Sequence, residues 1–219
     1  MTKLYPVMLN LSGRRAVIIG GGAVAFRKSR DLLESDAMVT VIAPSFNEGF
    51  DSLEAEFRDS LKLEKRPYRK GDLDGAHIVF SATDDHALNR QVYEEALEKN
   101  IFINAVDDPP HCTFTVPSSF ARGDLIVAIS TGGVSPSMSA RIRRDIEKVI
   151  PGSIVDMLEA LKSARSLLQN NAEFNTLSSE QRGSILKQIV MNDELLGELV
   201  TCNKSGTVMS FLKKISAGT

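Results

Sequence analysis

The chain has 219 residues, enough to bury one substantial core and append a smaller unit, and its 42% hydrophobic and 25% charged residues match ordinary globular composition. Its 26 Lys and Arg against 28 Asp and Glu leave a net charge of −2, with no chain-wide basic field for nucleic acid. No apolar run approaches the roughly 20 residues that span a bilayer, the amino terminus lacks the apolar core of a signal peptide, and the two cysteines, Cys112 and Cys202, have no metal-ligand spacing, so a cytoplasmic protein without membrane, nucleic-acid or metal sites is expected.

Up to about residue 116, short apolar runs alternate with segments of helical period, the pattern of βαβ units and a mainly parallel sheet. Ala16–Ile19 reads as a buried strand, and 23–35 as the following helix with Leu32 and Leu33 packing down. Val39–Ile42 is a second strand stopped before Pro44, and Leu61–Glu64 alternates like a half-exposed strand near an edge. Ile78–Phe80 is a fourth strand, 87–99 a helix and Ile101–Ile103 a fifth strand. Phe114–Val116 and Leu125–Ile129 then read as strands with no helix between them, joined through the turn residues Ala121-Arg122-Gly123-Asp124 into an antiparallel pair. A two-stranded hairpin is marginal alone, and a second subunit is the favoured partner for it. From Pro136 onward the chain reads as helix, broken at Pro151-Gly152. Ser153/Asp156 and Ser178/Gln181 resemble capping boxes. After the first of them, Ile154, Met157, Leu158, Leu161 and Leu168 form an apolar stripe.

The fold class that follows is α/β. A Rossmann-like parallel-sheet domain covers residues 1–112, a short α+β dimerisation segment 113–150, and a small all-helical domain 151–219.

Directly after the first strand, Gly20-Gly21-Gly22-Ala23-Val24-Ala25 opens a helix and reads as G-x-G-x-x-A in the strand–turn–helix setting of a dinucleotide fingerprint. Gly20 allows the tight turn, Gly22 lets backbone approach a pyrophosphate, and Ala25 lets the helix lie close on the sheet. The free N–H groups at the helix start then face the phosphates. The end of the second strand, Ile42-Ala43-Pro44-Ser45, carries neither the acid that would hold a ribose 2′-hydroxyl nor an arginine for a 2′-phosphate. NAD against NADP therefore stays open on this feature.

In a doubly wound sheet the ligand crosses the carboxyl ends of the strands. Thr83, after the fourth strand, would face the nicotinamide half, while Asp84 and Asp85 read as stabilising the next helix start. The fifth strand runs into Asn104-Ala105-Val106-Asp107-Asp108-Pro109, which places Asp107 by the cofactor's reactive end. A substrate that gives up a hydride must also lose a proton, and a carboxylate there can take it. Asp108, before its prolines, suits a cap better.

Ser130-Thr131-Gly132-Gly133-Val134-Ser135-Pro136 is a second glycine turn into a helix, either an anion-binding start or a cap. The helix after it carries Arg141, Arg144 and Lys148 on one side, a solvated basic face unless the substrate bears many carboxylates, and Arg143 with Glu147 as a surface pair. His77, His86 and His111 share no metal-binding spacing.

The glycine loop with Phe26-Arg27-Lys28, then Ala82-Thr83-Asp84-Asp85, Asn104-Ala105-Val106-Asp107-Asp108-Pro109 and Ser130-Thr131-Gly132-Gly133-Val134-Ser135-Pro136, occur in order at suitable separations over the whole chain. Together they resemble precorrin-2 dehydrogenase, the dehydrogenase part of the siroheme synthase family. The resemblance implies NAD-dependent oxidation of precorrin-2 to sirohydrochlorin in siroheme or cobalamin biosynthesis, within an intertwined homodimer. It places the family's essential aspartate on Asp107. The expected cofactor-binding residues are Gly20, Gly22, Ala23, Val24, Ala43, Thr83 and Val106. Thr131, Arg141 and Arg144 are expected to meet the substrate, whose carboxylate arms need cationic partners. Some family members also insert ferrous iron, and a non-catalytic NAD-sensing module is the other reading. Thr131 stands where the fused enzymes have a phosphorylatable serine, and their methyltransferase domain is absent here, so a separate methyltransferase is expected to supply precorrin-2.

Overall fold

The computed structural model describes residues 3–216 and divides into two compact units, Met1–Val116 and Pro117–Thr219. The first unit is built from β1 (Arg15–Ile19), α1 (Ala23–Leu33), β2 (Met38–Ala43), α2 (Gly49–Glu56), β3 (Leu61–Lys65), β4 (Ile78–Ser81), α3 (His86–Glu98) and β5 (Phe102–Ala105). All five strands are parallel, in the order β3-β2-β1-β4-β5. The chain crosses back over the sheet between β3 and β4, so the strand order reverses at β1 and β4, where such sheets bind ligands beyond their carboxyl ends.

Alternate side chains of the same strands feed two cores, which is why the central strands read as continuous apolar runs. Ala16, Ile18, Val39, Val41 and Phe80 pack with Leu32 and Leu33 of α1 and Phe50 and Leu53 of α2. Val17, Ile19, Val79 and Ile103 pack with Val92 and Ala96 of α3 on the other side. Leu61–Lys65 lies at the sheet edge, as its alternation predicts. The short helix α2 has no counterpart in the sequence reading. Only Phe50 and Leu53 of it are buried, too few positions to show a period, and it is held by ring contacts of Phe50 with Phe26 and Phe46 at 5.6 and 5.4 Å.

The second unit opens with an antiparallel hairpin, β6 (Ser118–Arg122) and β7 (Leu125–Ile129), whose turn puts Gly123 at φ +58. The expected strand over Phe114–Val116 is not formed. Phe114 belongs to the first unit, where its ring meets Phe80 at 5.4 Å and Phe102 at 6.4 Å, and pairing begins only after Pro117. The helices α4 (Pro136–Val149), α5 (Ile154–Asn170), α6 (Ser179–Val190), α7 (Asp193–Ser205) and α8 (Val208–Ser216) follow. Arg122 donates to the backbone carbonyls of Glu147 (3.3 Å) and Ile150, fastening the hairpin to the end of α4. Ala160, Ala164, Leu168, Ile185, Ile189, Leu199, Phe211 and Leu212 form the helical core.

Two local expectations are corrected here. Ser153 is already helical (φ −61) and caps nothing with its side chain, because the Pro151-Gly152 turn starts the helix through Ile154 N–H on Pro151 O; Asp156 pairs with Lys204 at 2.5 Å instead. The buried face of α5 is Ala160, Ala164 and Leu168, with Ile154, Met157 and Leu158 only half-buried. Leu168 of the expected stripe lies in the helical core and Leu161 packs against it, but small Ala160 and Ala164 complete the buried face, which is rotated from the stripe's centre. The Ser178–Gln181 capping box does form, with bonds of 3.2 and 2.8 Å. Among the described residues no helix is long and apolar enough to cross a membrane.

Candidate functional site

Two of the three glycines after β1 are required by the fold itself, for different reasons. Gly20 has φ +120, and a Cβ there would lie 2.2 Å from Ala82 O, so only glycine lets β1 leave the sheet beside β4. At Gly21 a Cβ would lie 2.0 Å from Ser45 O, and Asn47 N–H donates to Gly21 O at 2.7 Å. The loop after β2 is thus closed down on the glycine loop. This second constraint was missed in the sequence because it comes from a segment more than twenty residues away. A Cβ on Gly22 would meet no protein atom within 4 Å; its lack of a side chain serves the space in front of it.

Gly22 is also the first residue of the α1 cap, with no side-chain cap bond and no acidic residue in the first turn. The N–H groups of Ala23 and Val24 therefore face outward with the positive end of the helix dipole, which suits a phosphate. Ala25, fully buried, lets α1 pack on the sheet. Ala43, the last residue of β2, is buried against Gly21.

Beyond β4, Thr83 is tied into a small network. Its hydroxyl donates to Asn89 Oδ1 (2.8 Å) and accepts from Asp85 N–H (3.2 Å), while Asn89 Nδ2 returns a bond to Thr83 O (3.0 Å). Ser81 Oγ donates to the same Asn89 oxygen at 2.6 Å. Buried Asn89 of α3 thereby fixes the β4 end, a role with no sequence signature. Asp85 caps α3 by accepting from Ala87 and Leu88 N–H. Asp84, exposed, stands one residue outside that cap.

Val106 N–H donates to Ser81 O at 2.9 Å, prolonging the β4–β5 ladder up to the next residue. That residue, Asp107, is exposed and has φ +57, a left-handed backbone that costs a non-glycine residue on the order of 1–2 kcal/mol. Two inter-strand steps of about 4.8 Å separate β1 from β5, so the glycine loop and Asp107 share the carboxyl edge of the sheet about 10 Å apart. Asp108 does not cap the 3₁₀ turn Pro109–His111 with its side chain; its Oδ2 bonds His111 Nδ1 at 2.8 Å. Cys112 Sγ donates to Ala105 O (3.2 Å), and burial pushes its thiol pKa up.

The substrate candidates belong to the second unit. Thr131 Oγ1 accepts from Ser135 N–H (3.1 Å) and bonds Ser139 Oγ (3.1 Å), and Ser135 Oγ accepts from Met138 N–H as the cap of α4. The second glycine turn is therefore a built helix start. Arg141 lies 3.9 Å from Asp145, and Arg143 pairs with Glu147 at 2.6 Å. Exposed Arg144 has no ion-pair partner among the described residues and lines an open cavity of about 410 Å³ with Arg122, Glu147, Lys148 and Ile150. No cluster of three or more metal-ligating side chains occurs among the described residues.

A family model described as "Putative NAD(P)-binding" matches residues 7–118, which hold the whole sheet and the glycine loop. The chain belongs to this NAD(P)-binding family. A second model, described as "Sirohaem biosynthesis protein central", matches residues 122–148. Siroheme synthase of Acinetobacter baylyi is 31% identical over 198 residues, 88% of this chain and 43% of that protein. Siroheme synthase of Photorhabdus laumondii is 33% identical over 215 residues, 89% of this chain and 45% of that protein. This chain thus spans less than half the length of these curated relatives. A solved structure, "SirC, precorrin-2 dehydrogenase", superimposes with a TM-score of 0.76 at 27% identity, covering 98% of this chain and 100% of that one. The resemblance drawn from the sequence, the Rossmann-like fold and the nicotinamide dinucleotide cofactor are borne out by these relatives.

Proposed function

We propose that the chain oxidises precorrin-2 to sirohydrochlorin with NAD, in siroheme or cobalamin biosynthesis. The observation that carries this is the pairing, on one sheet edge, of the open helix start at Gly22 with the exposed Asp107, whose carboxylate has no hydrogen-bond or ion-pair partner among the described residues. When bound, the dinucleotide supplies the hydride acceptor. Gly20, Gly22, Ala23 and Val24 hold its pyrophosphate, Ala43 borders its adenosine side, and Thr83 and Val106 border the nicotinamide. Asp107 takes the proton that the macrocycle loses as its hydride leaves from a C–H bond, so two hydrogens depart, one as hydride to the dinucleotide and one as a proton to the carboxylate, and the ring gains one double bond of conjugation. Thr131, Arg141 and Arg144 meet the substrate's carboxylate arms. Purified protein given NAD and enzymatically generated precorrin-2 should form NADH and sirohydrochlorin one for one by absorbance. NAD binding without tetrapyrrole oxidation would overturn the reading.

We further propose that residues 113–150 carry the dimerisation face of this enzyme, between the sheet domain 1–112 and the helical domain 151–219, although the compact units themselves divide at Val116. Its support is the apolar surface that segment leaves in solvent: Ile126 is 57% exposed on the hairpin, and Met138, Ile142 and Val149 on α4 are 45%, 37% and 77% exposed. Faces of that kind mark an interface. Ile126→Glu should convert a dimer to a monomer in analytical ultracentrifugation; a wild-type chain that sediments as a monomer at micromolar concentration would remove the dimer from the proposal.

A further inference from the structure

The loop carrying Asp107 is cross-braced by groups that the proposed reaction does not use. Asp108 Oδ2 and His111 Nδ1 lie 2.8 Å apart, and both side chains are mostly buried, at 19% and 34% exposure. The His111 ring stands edge-on to Tyr93 of α3, 4.9 Å between centroids. His111 N–H donates to Asp108 O (3.0 Å), Asp108 N–H to Ala105 O (3.3 Å), and Cys112 Sγ reaches both Ala105 O and Asp108 O, at 3.2 and 3.4 Å. Each of these bonds closes on Ala105 or Asp108, within two residues of Asp107, whose left-handed backbone is not relieved by a glycine. A strained conformation persists only where its surroundings over-determine it.

We infer that the Asp108–His111 pair, clamped on Tyr93, is the positioning element that holds Asp107 in its left-handed conformation for proton abstraction. The imidazole acts through Asp108 and the loop backbone; it touches neither substrate nor dinucleotide. Bidirectional bracing of this sort supports a reacting group within the tenths of an ångström that proton transfer requires. The inference rests on the reading of Asp107 proposed above, and its test separates the two.

His111→Leu keeps an apolar side chain against Tyr93 and deletes the bond to Asp108, whereas His111→Asn keeps a donor for that carboxylate. In His111→Leu, kcat should fall about 10- to 100-fold, with KM for NAD and for precorrin-2 changed less than about twofold. His111→Asn should recover most of the loss. In the substrate-free protein, the backbone amides of residues 111 and 112 should exchange with solvent faster in His111→Leu and regain protection in His111→Asn. An unchanged kcat in His111→Leu overturns the inference, even if the melting temperature falls, because the pair is then structural only. A rise in KM at constant kcat, or an His111→Asn variant as slow as His111→Leu, overturns it as well. Asp107→Asn run alongside discriminates: if it too keeps full activity, the reading of Asp107 has failed, and if it alone is inactive, only the positioning role has.

Discussion

Gly22→Ala is expected to fold like the wild type and to lose NAD affinity by about 100-fold or more, near 2.7 kcal/mol. Gly22 has φ −80 and ψ −172, a conformation open to any L-residue, and its new methyl would meet no protein atom within 4 Å. The fold therefore has nothing to resist, and a cap change from glycine to alanine costs at most about 1 kcal/mol. The methyl instead occupies the space through which a pyrophosphate approaches the α1 N–H groups. Gly20→Ala combines a closed region of φ with a 2.2 Å contact to Ala82 O, and Gly21→Ala drives a methyl to 2.0 Å from Ser45 O. Both contacts are with backbone, so neither is relieved by a rotamer change, and both variants should melt well below the wild type before coenzyme is added. Thermal unfolding with and without NAD reads the two effects separately, since a ligand that no longer binds no longer raises the melting temperature. A Gly22→Ala protein that shows the wild-type NAD-induced shift would remove the pyrophosphate from this loop.

The division among those glycines marks how far the sequence could be read. A parallel sheet buried on both faces advertises itself through runs such as Ala16–Ile19 and Ile78–Phe80, and the rule that ligands bind beyond strand carboxyl ends then locates residues 20, 83 and 107 without coordinates. What escapes that logic is set by contacts across loops. Gly21 is constrained by Ser45 and Asn47, Thr83 by Asn89, and Asp108 by His111; none of these pairs has a spacing that announces it. The same holds for Phe114, which reads as strand by its neighbours yet is drawn between Phe80 and Phe102 of the sheet domain. For α5, the apolar count favoured leucines and methionine, while close packing selected Ala160 and Ala164. Periodicity reports what can be buried, and it cannot tell how near the neighbouring helix will come.

Asp107→Asn should lower kcat by about 10²- to 10⁴-fold, the range general-base catalysis supplies, with NAD binding unaltered. Asparagine is the most informative replacement because it adopts the left-handed conformation as readily as aspartate does. Size, backbone and fold are kept while the proton acceptor is removed. Asp107→Ala would mix the two effects, since alanine at φ +57 carries the backbone cost with no polar side chain to offset it. Asp107→Gly separates them in the other direction: it should be as inactive as the asparagine variant yet more stable by roughly 1 kcal/mol, because the left-handed residue no longer pays a steric penalty. Stability gained and activity lost at one position is what a strained functional residue predicts. Stopped-flow oxidation of precorrin-2 and melting curves on the three variants decide it. A glycine variant that is both more stable and fully active would mean that the strain serves no chemistry and that the proton leaves by another route.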